Sequence, residues 1–229
     1  MNPTILTNKK RSLFSLIFTV ISIMAALCTV LEQLSYLEIL FKPLIVASLI
    51  WFFYKHSSHL PKRYRQYTLV ALSLCLLGDV LLIFENKDDL FFLFGLSSFL
   101  LAHVMYVRVF MENIRVSFRR IVPFASILVI YASLLLFLLY EHLDTLVLPV
   151  VLYVMVISTM TLTAYLRWGK ADRISYLLVL AGAVLFMFSD SIIAIDRFHQ
   201  SIPFSGFIII SSYAAAQYGI TLGLLKQQK

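Results

Sequence analysis

Apolar stretches of about 20 residues, separated by short polar breaks, recur along the whole chain. About 20 apolar residues are enough for a helix to cross the hydrocarbon core of a bilayer. The pattern predicts eight transmembrane helices, at Ser12 to Leu31, Tyr36 to Tyr54, Tyr67 to Phe84, Leu90 to Val109, Ile121 to Tyr140, Thr145 to Leu166, Ile174 to Ile195 and Pro203 to Leu225. Because these spans use nearly all of the sequence, we predict an all-α membrane protein with one eight-helix transmembrane domain over residues 1–229.

Composition supports this prediction. Hydrophobic residues make up 61% of the chain, charged residues 14%, and the mean hydropathy is +0.90, whereas about a quarter of the residues in a soluble domain are charged. The two cysteines, Cys28 and Cys75, lie in apolar stretches without a nearby histidine or second cysteine. We expect them to be core residues, and we predict neither a metal site nor a cofactor.

Charge alternates between the loops. Basic residues precede the first span, end the chain and occupy every second loop, at Lys9, Lys10, Arg11, Lys55, Lys62, Arg63, Arg65, Arg108, Arg115, Arg119, Arg120, Arg167, Lys170, Arg173, Lys226 and Lys229. The other loops are mainly acidic. By the positive-inside rule both termini are expected in the cytoplasm. The net charge of +7 then reflects topology and anionic lipid, so the expected partner is the bilayer and not a nucleic acid. Short loops and a regular charge pattern favour a bacterial inner membrane.

An internal repeat is visible at a shift of 111 positions. This shift places Asp79 on Asp190, Gly95 on Gly206 and Tyr106 on Gln217. Four helices per unit would give two halves of the same orientation, related by a pseudo-twofold axis along the membrane normal, as in the parallel repeats of some transporters. Chance similarity is the alternative, because biased apolar sequences match themselves easily.

Two aspartates, Asp79 and Asp190, interrupt apolar stretches. A charged group at the bilayer centre costs about 2.5 to 3.5 kcal/mol on insertion scales, so such residues usually face a cavity, pair with a cation or take part in chemistry. Each aspartate lies five residues before the outer end of its predicted span, about 8 Å deep at the rise of an α-helix. We predict a functional role for both, with structural pairing to Lys42 as the alternative.

Further polar side chains are predicted at a similar depth or on adjacent helical faces. These candidates are Lys42, His103, Tyr106, Tyr153, Tyr213 and Gln217. Simpler roles stay open: Lys42 can extend to the interface, His103 can bond a neighbouring helix, and the tyrosines and Gln217 can serve packing. The sequence contains no phosphate-binding loop, paired-histidine metal motif or nucleophile elbow, so the remaining chemistry is acid and base catalysis on a lipid-soluble molecule.

The order and spacing of these residues resemble the YhhN family of membrane proteins, which includes the mammalian and bacterial lysoplasmalogenases. The resemblance covers nearly the whole chain and is carried by Lys42-Pro43, Gly78-Asp79, Gly95, Phe99, His103, Tyr106, Pro149, Tyr153, Gly182-Ala183, Phe186, Ser189-Asp190, Tyr213 and Gln217. It implies hydrolysis of the vinyl ether bond of a lysophospholipid, to a fatty aldehyde and glycerophosphoethanolamine or glycerophosphocholine.

A pair of carboxyl groups suits this reaction, since one can donate a proton while the other activates water, as in glycoside hydrolysis. On this interpretation Asp79 is the acid and Asp190, next to Ser189, is the base, although the reverse assignment is also open. Lys42 would attract the substrate phosphate or hold a carboxylate ionised, and His103 would relay protons.

Two other functions remain consistent with the sequence. Intramembrane carboxylates in parallel repeats also occur in proton-coupled transporters of lipids or small molecules. A non-catalytic lipid-binding protein is the second alternative. The oligomeric state is not predicted.

Overall fold

The computed structural model describes the backbone of residues 3–85 and 87–227, and the side chains within these ranges from residue 12 onward, except Glu32. This part of the chain is helical and contains no strand. Its eight long helices are α1 (Pro3–Cys28), α2 (Glu38–His56), α3 (Lys62–Leu82), α4 (Asp89–Met111), α5 (Phe118–Leu139), α6 (Val147–Leu166), α7 (Arg173–Phe198) and α8 (Ser205–Leu225). Short 3₁₀ turns at Glu32–Leu37, Tyr140–His142 and Asp144–Leu146 lead into α2 and α6.

Seven of these helices, α2 to α8, are long and apolar enough to cross a membrane. The apolar part of α1 within the described side chains, Ser12–Cys28, is shorter. The expected all-α membrane architecture is therefore confirmed for the described chain. The charge-pattern residues Lys9, Lys10, Arg11, Glu32 and Lys229 lie outside the described side chains.

Helix ends differ from the predicted spans where polar residues continue or start a helix. α3 begins at Lys62, five residues before the apolar stretch, because Lys, Arg and Gln favour helix. α7 continues to Phe198, which places Asp190 about 12 Å from the end of its helix, while Asp79 lies about 5 Å from the end of α3. The two aspartates thus differ in their distance from a helix end, although equal distances were expected.

The tightest helix packing involves glycine. A Cβ atom on Gly182 of α7 would lie 2.7 Å from the carbonyl oxygen of Ala216 on α8, and one on Gly78 of α3 would lie 2.6 Å from the ring of Phe99 on α4. Small residues allow membrane helices to approach closely. These contacts pair α3 with α4 and α7 with α8, the four helices that carry most of the candidate site.

The loops collect at two ends of the bundle. At one end, the backbone N–H of Arg115 donates to the carbonyl oxygen of Leu166 over 2.8 Å, and His59 Nε2 lies 3.2 Å from the carbonyl oxygen of Leu225. We call this the basic end. At the other, the acidic end, Arg197 Nη2 lies 2.8 Å from Asp89 Oδ1. The alternation of charge along the sequence therefore becomes a difference between the two ends.

Candidate active site

Asp190 of α7 is held by a tyrosine of α6. Tyr153 Oη donates to Asp190 Oδ2 over 2.5 Å. The side chain of Asp190 is 12% exposed, whereas Asp79 is 1% exposed. Asp190 is thus the more accessible of the two intramembrane carboxyl groups.

His103 of α4 is the second neighbour of Asp190. Its Nε2 atom lies 3.8 Å from Asp190 Oδ2, and its ring is fully buried. The ring packs edge to face against Phe186 and Tyr153. Neither ring nitrogen has a hydrogen-bond partner among the described residues. The imidazole is therefore held by aromatic contacts, and no described residue occupies either of its ring nitrogens.

Asp190 lies in the wall of a cavity lined mainly by α4, α5, α6 and α7, to which α3 contributes Leu82. The cavity extends from Phe92 and Phe198, near the acidic end, to Ile157 and Met187, about one helical turn beyond Asp190. Its lining is mostly apolar, and the polar groups are carried by Tyr131, Tyr153, Asp190 and Ser191. A carboxyl group in an otherwise apolar cavity is suited to a ligand with a hydrocarbon chain and one reactive polar bond.

Asp79 of α3 ends a chain of buried hydrogen bonds. Tyr213 Oη donates to Asp79 Oδ2 over 2.8 Å. Gln217 Nε2 donates to Tyr213 Oη over 3.4 Å, and Tyr106 Oη donates to Gln217 Oε1 over 2.8 Å. All four groups are buried. The chain connects α3, α8 and α4, so three of the predicted polar residues do converge on Asp79.

Lys42 of α2 lies beside the Asp79 cluster. Its ammonium group is 3.5 Å from Glu38 Oε1, one helical turn earlier, and its charge acts on both Asp79 and Glu85. Glu85 follows α3 outside the membrane-spanning segment, and burial raises the pKa of its carboxyl group despite the opposing effects of Lys42 and Arg197. Lys42 is therefore the cation shared by several carboxylates at the acidic end.

Aromatic rings connect the two aspartate clusters. The Phe99 ring packs edge to face on both Phe186 and Tyr213, and Phe186 also contacts His103. Phe99 lines the cavity, whereas Asp79 and Tyr213 do not. Asp79 thus lies behind the cavity wall, although the Asp190 charge still acts on it.

One predicted residue faces elsewhere. Ser189 is fully buried, and its Oγ donates to the carbonyl oxygen of Ile209 on α8 over 3.1 Å. The serine on the other side of Asp190, Ser191, lines the cavity and is hydrogen-bonded to Tyr131 of α5. Tyr131 was not among the candidates, although a phenol in the middle of an apolar span was a signal that could have identified it.

These features define a class of protein: a helical membrane protein that carries a carboxyl group in the wall of a mostly apolar cavity between its helices. The YhhN family model matches residues 37–224. Human lysoplasmalogenase TMEM86B is 32% identical over 197 residues, which cover 85% of this chain and 78% of the relative. The chain belongs to the YhhN family, and the resemblance expected from the sequence is confirmed.

Other relatives carry the same name. Rat lysoplasmalogenase TMEM86B is 32% identical over 158 residues, 68% of this chain and 60% of the relative. Lysoplasmalogenase of Mycobacterium tuberculosis is 35% identical over 166 residues, 70% of this chain and 61% of the relative. The matched regions thus span less than two thirds of these two proteins. No solved structure matches the chain.

Proposed function

We propose that this protein is a lysoplasmalogenase, a hydrolase that cleaves the vinyl ether bond of a lysophospholipid. One observation supports this most directly: the Asp190 carboxyl group lies in the wall of a mostly apolar cavity between the helices of a membrane protein. The names of the family relatives agree with it. The alkenyl chain would occupy the cavity, and the glycerophosphate headgroup would lie towards the acidic end.

The reaction needs one proton donor and one water molecule. Protonation of the vinyl ether carbon farther from oxygen gives an oxocarbenium ion, whose positive charge is shared by oxygen and the adjacent carbon. Water adds to that carbon and loses a proton, which produces a hemiacetal. The bond from the hemiacetal carbon to the glycerol oxygen then breaks. The hemiacetal hydroxyl loses its proton and the glycerol oxygen takes one up, so that an aldehyde is released. One water is consumed and the acid is regenerated.

We assign the proton donor to Asp190, the reverse of the assignment favoured from the sequence. General acid catalysis requires hydrogen-bond reach to the reacting atom, and Asp190 lies in the cavity wall while Asp79 lies behind it. Tyr153 bonds Oδ2 of Asp190, so Oδ1 is the oxygen left to carry the proton. The resulting carboxylate would then steady the oxocarbenium ion and accept the proton of the attacking water.

The remaining predicted residues would act around this group. His103, 3.8 Å from Asp190, would relay protons to it. Asp79, with Tyr213, Gln217 and Tyr106, would supply a fixed polar network behind the cavity wall. Lys42 would favour the phosphate at the acidic end. Because Ser189 bonds α8, we propose that its neighbour Ser191, together with Tyr131, contacts the substrate instead.

We also propose eight membrane spans in one domain, with both termini in the cytoplasm of a bacterial cell, and a parallel four-plus-four repeat. Several contacts support the repeat. The shift of 111 positions relates Tyr106 to Gln217, which are hydrogen-bonded to each other. The same shift relates Lys42 to Tyr153, and these residues act on Asp79 and Asp190 respectively. A pseudo-twofold axis between the halves would produce this correspondence.

The test is aldehyde release from a lysoplasmenyl-ethanolamine by the full chain in uncharged detergent, where no compartments exist and a transporter would give no product. We expect turnover by the wild type, and a loss of about 100-fold or more in Asp190→Asn, the range of general acid catalysis. Asp79→Asn should retain more activity than Asp190→Asn. No turnover by folded wild type would refute the hydrolase, and a larger loss in Asp79→Asn would refute our assignment of the acid.

A further inference from the structure

The largest fully buried side chain of the described protein is a cation at the basic end. Arg167 follows the last residue of α6 and is 0% exposed. Its Nη2 atom donates to Ser175 Oγ over 2.9 Å and to Gln227 Oε1 over 3.1 Å. Nε and Nη1 have no hydrogen-bond partner in the part of the chain that the structure describes. Two nitrogens of a buried guanidinium group, which carry three N–H groups, therefore still require acceptors.

The charge of Arg167 is also uncompensated by the described residues. Its hydrogen-bond partners Ser175 and Gln227 are neutral, and the Phe110 ring lies 5.6 Å from its Cζ atom. No described carboxylate lies within 4.0 Å of it, and nearby Asp172 instead accepts the N–H groups that begin α7. A guanidinium group keeps its proton in proteins, and a buried charge without a partner is strongly destabilising. A negative charge is the missing partner.

Tyr64 of α3 adds a further donor. Its side chain is 1% exposed, and its hydroxyl group has no hydrogen-bond partner among the described residues. Tyr64 lies close enough to Arg167 for the two groups to interact electrostatically. Glu112, which directly follows α4, is exposed. Its charge acts on Tyr64 as well as on Arg108 and Arg63, but it accepts no hydrogen bond from the Tyr64 hydroxyl group. The buried donors of Arg167 and Tyr64 thus face the same acceptor-poor region.

The surroundings favour an anion. Basic side chains surround this end of the bundle, at Arg63, Arg108, Arg115, Arg120, Lys170 and Arg173, and such a distribution attracts anions over long range. Gln227 lies beyond the last residue of α8 and is only half-buried. Gln227 bonds Arg167 from a position beyond the helix end, and its side chain also bonds Ser175 and Asn113. Exchange of these hydrogen bonds for a ligand would give access to the guanidinium group without unpacking the bundle.

We propose that Arg167 and Tyr64 form a binding site for a phosphate group at the basic end of the protein. Phosphate matches a fixed arginine charge and offers several acceptor oxygens to donors on different side chains. Free phosphate and the headgroup of an anionic lipid share this chemistry. The site is separate from the proposed active site, since Ser175 and Asp190 lie 15 residues apart on α7, about 22 Å. It therefore does not depend on the proposed function.

The first experiment measures thermal unfolding of the full chain in uncharged detergent, with sodium phosphate or sodium chloride at equal ionic strength. Ligand that binds only the folded state raises the Tm, so we expect a saturable rise of a few degrees with phosphate. Arg167→Gln should abolish the rise, and Tyr64→Phe should require more phosphate for the same rise. Arg119→Gln, an exposed basic residue at the same end, is the matched control and should respond like the wild type.

A second arm distinguishes the two sources of phosphate. Mixed micelles containing phosphatidic acid are compared with micelles containing phosphatidylcholine. Stabilisation of the wild type by phosphatidic acid alone, lost in Arg167→Gln, would assign the site to a lipid headgroup. Absence of stabilisation by both inorganic phosphate and phosphatidic acid would overturn the proposal, as would equal responses of wild type and Arg167→Gln. If Arg167→Gln does not fold, Arg167→Lys and Tyr64→Phe provide the comparison.

Discussion

The hydrogen bond from Tyr153 to Asp190 offers a sharp test of the active-site geometry. Tyr153 is 7% exposed, and its hydroxyl lies 2.5 Å from Asp190 Oδ2. Tyr153→Phe removes this donor and preserves the ring that packs on His103. A hydrogen bond to a charged group is worth about 1.5 to 3 kcal/mol. If the bond holds Asp190 in position for the reaction, its loss should lower kcat roughly 10- to 100-fold.

Tyr131→Phe is the matched control. It removes a hydroxyl from the wall of the same cavity, but that hydroxyl bonds Ser191 and not Asp190. Because we propose that Tyr131 contacts the substrate, its loss should act mainly on KM; we expect less than about a threefold change in kcat, which corresponds to well under 1 kcal/mol. The assay follows aldehyde release over a range of substrate concentrations, so that kcat and KM are obtained separately, with thermal unfolding as the check on folding. Equal losses in both variants, or full activity in Tyr153→Phe, would refute a specific role for this bond.

Further predictions concern access, packing and charge. Leu96 lines both the cavity and a groove between α4 and α6 at the lipid-facing surface, so Leu96→Trp should raise KM for long-chain substrates more than for short-chain ones. The control Ala215→Trp, in the groove between α1 and α8, should not have this effect. Kinetics with substrates of different chain length test this prediction. Gly182→Ala should lower the Tm by several degrees, because the new Cβ meets backbone atoms of α8 and overpacking costs about 1 to 3 kcal/mol. Burial raises the pKa of Glu85, so ionisation of this carboxyl group destabilises the folded state as the pH rises above the ordinary pKa of 4.5. Unfolding measurements should therefore show Glu85→Gln to be more stable than the wild type at pH 7. This difference should disappear below the ordinary pKa of 4.5.

The sequence predicted the helical architecture well, because a bilayer imposes a minimum length on every apolar span. It predicted helix ends less well, since these depend on polar residues that hydropathy ignores. The start of α3 at Lys62 and the cap of α7 by Asp172 are examples. For the same reason, the predicted span ends placed Asp79 and Asp190 at equal depth, whereas the helix ends do not.

The candidate site was only partly accessible to sequence reasoning. Charged residues in apolar stretches are conspicuous because of their energetic cost, so Asp79 and Asp190 could be identified directly. Their neighbours depend on which way each helix is rotated. Successive residues on a helix point about 100° apart, and this rotation directs Ser189 to α8 while Asp190 faces α6. Tyr131 was not predicted as a site residue because its helix, α5, is largely exposed. Its hydrogen-bond partner, Ser191, lies 60 residues away in the sequence, so their contact depends on the fold.

In the repeat that we propose, Asp79 and Asp190 occupy equivalent positions, yet their surroundings differ. Asp79 is satisfied by Tyr213 and by the charge of Lys42, and it has no access to the cavity. Asp190 has Tyr153 where the repeat would place a second lysine, and it faces the cavity. Each aspartate accepts a hydrogen bond from a tyrosine, Tyr213 for Asp79 and Tyr153 for Asp190. The difference between them is access: a general acid must reach the reacting atom, and of the two only Asp190 lines the cavity, which is why we propose Asp190 as the proton donor.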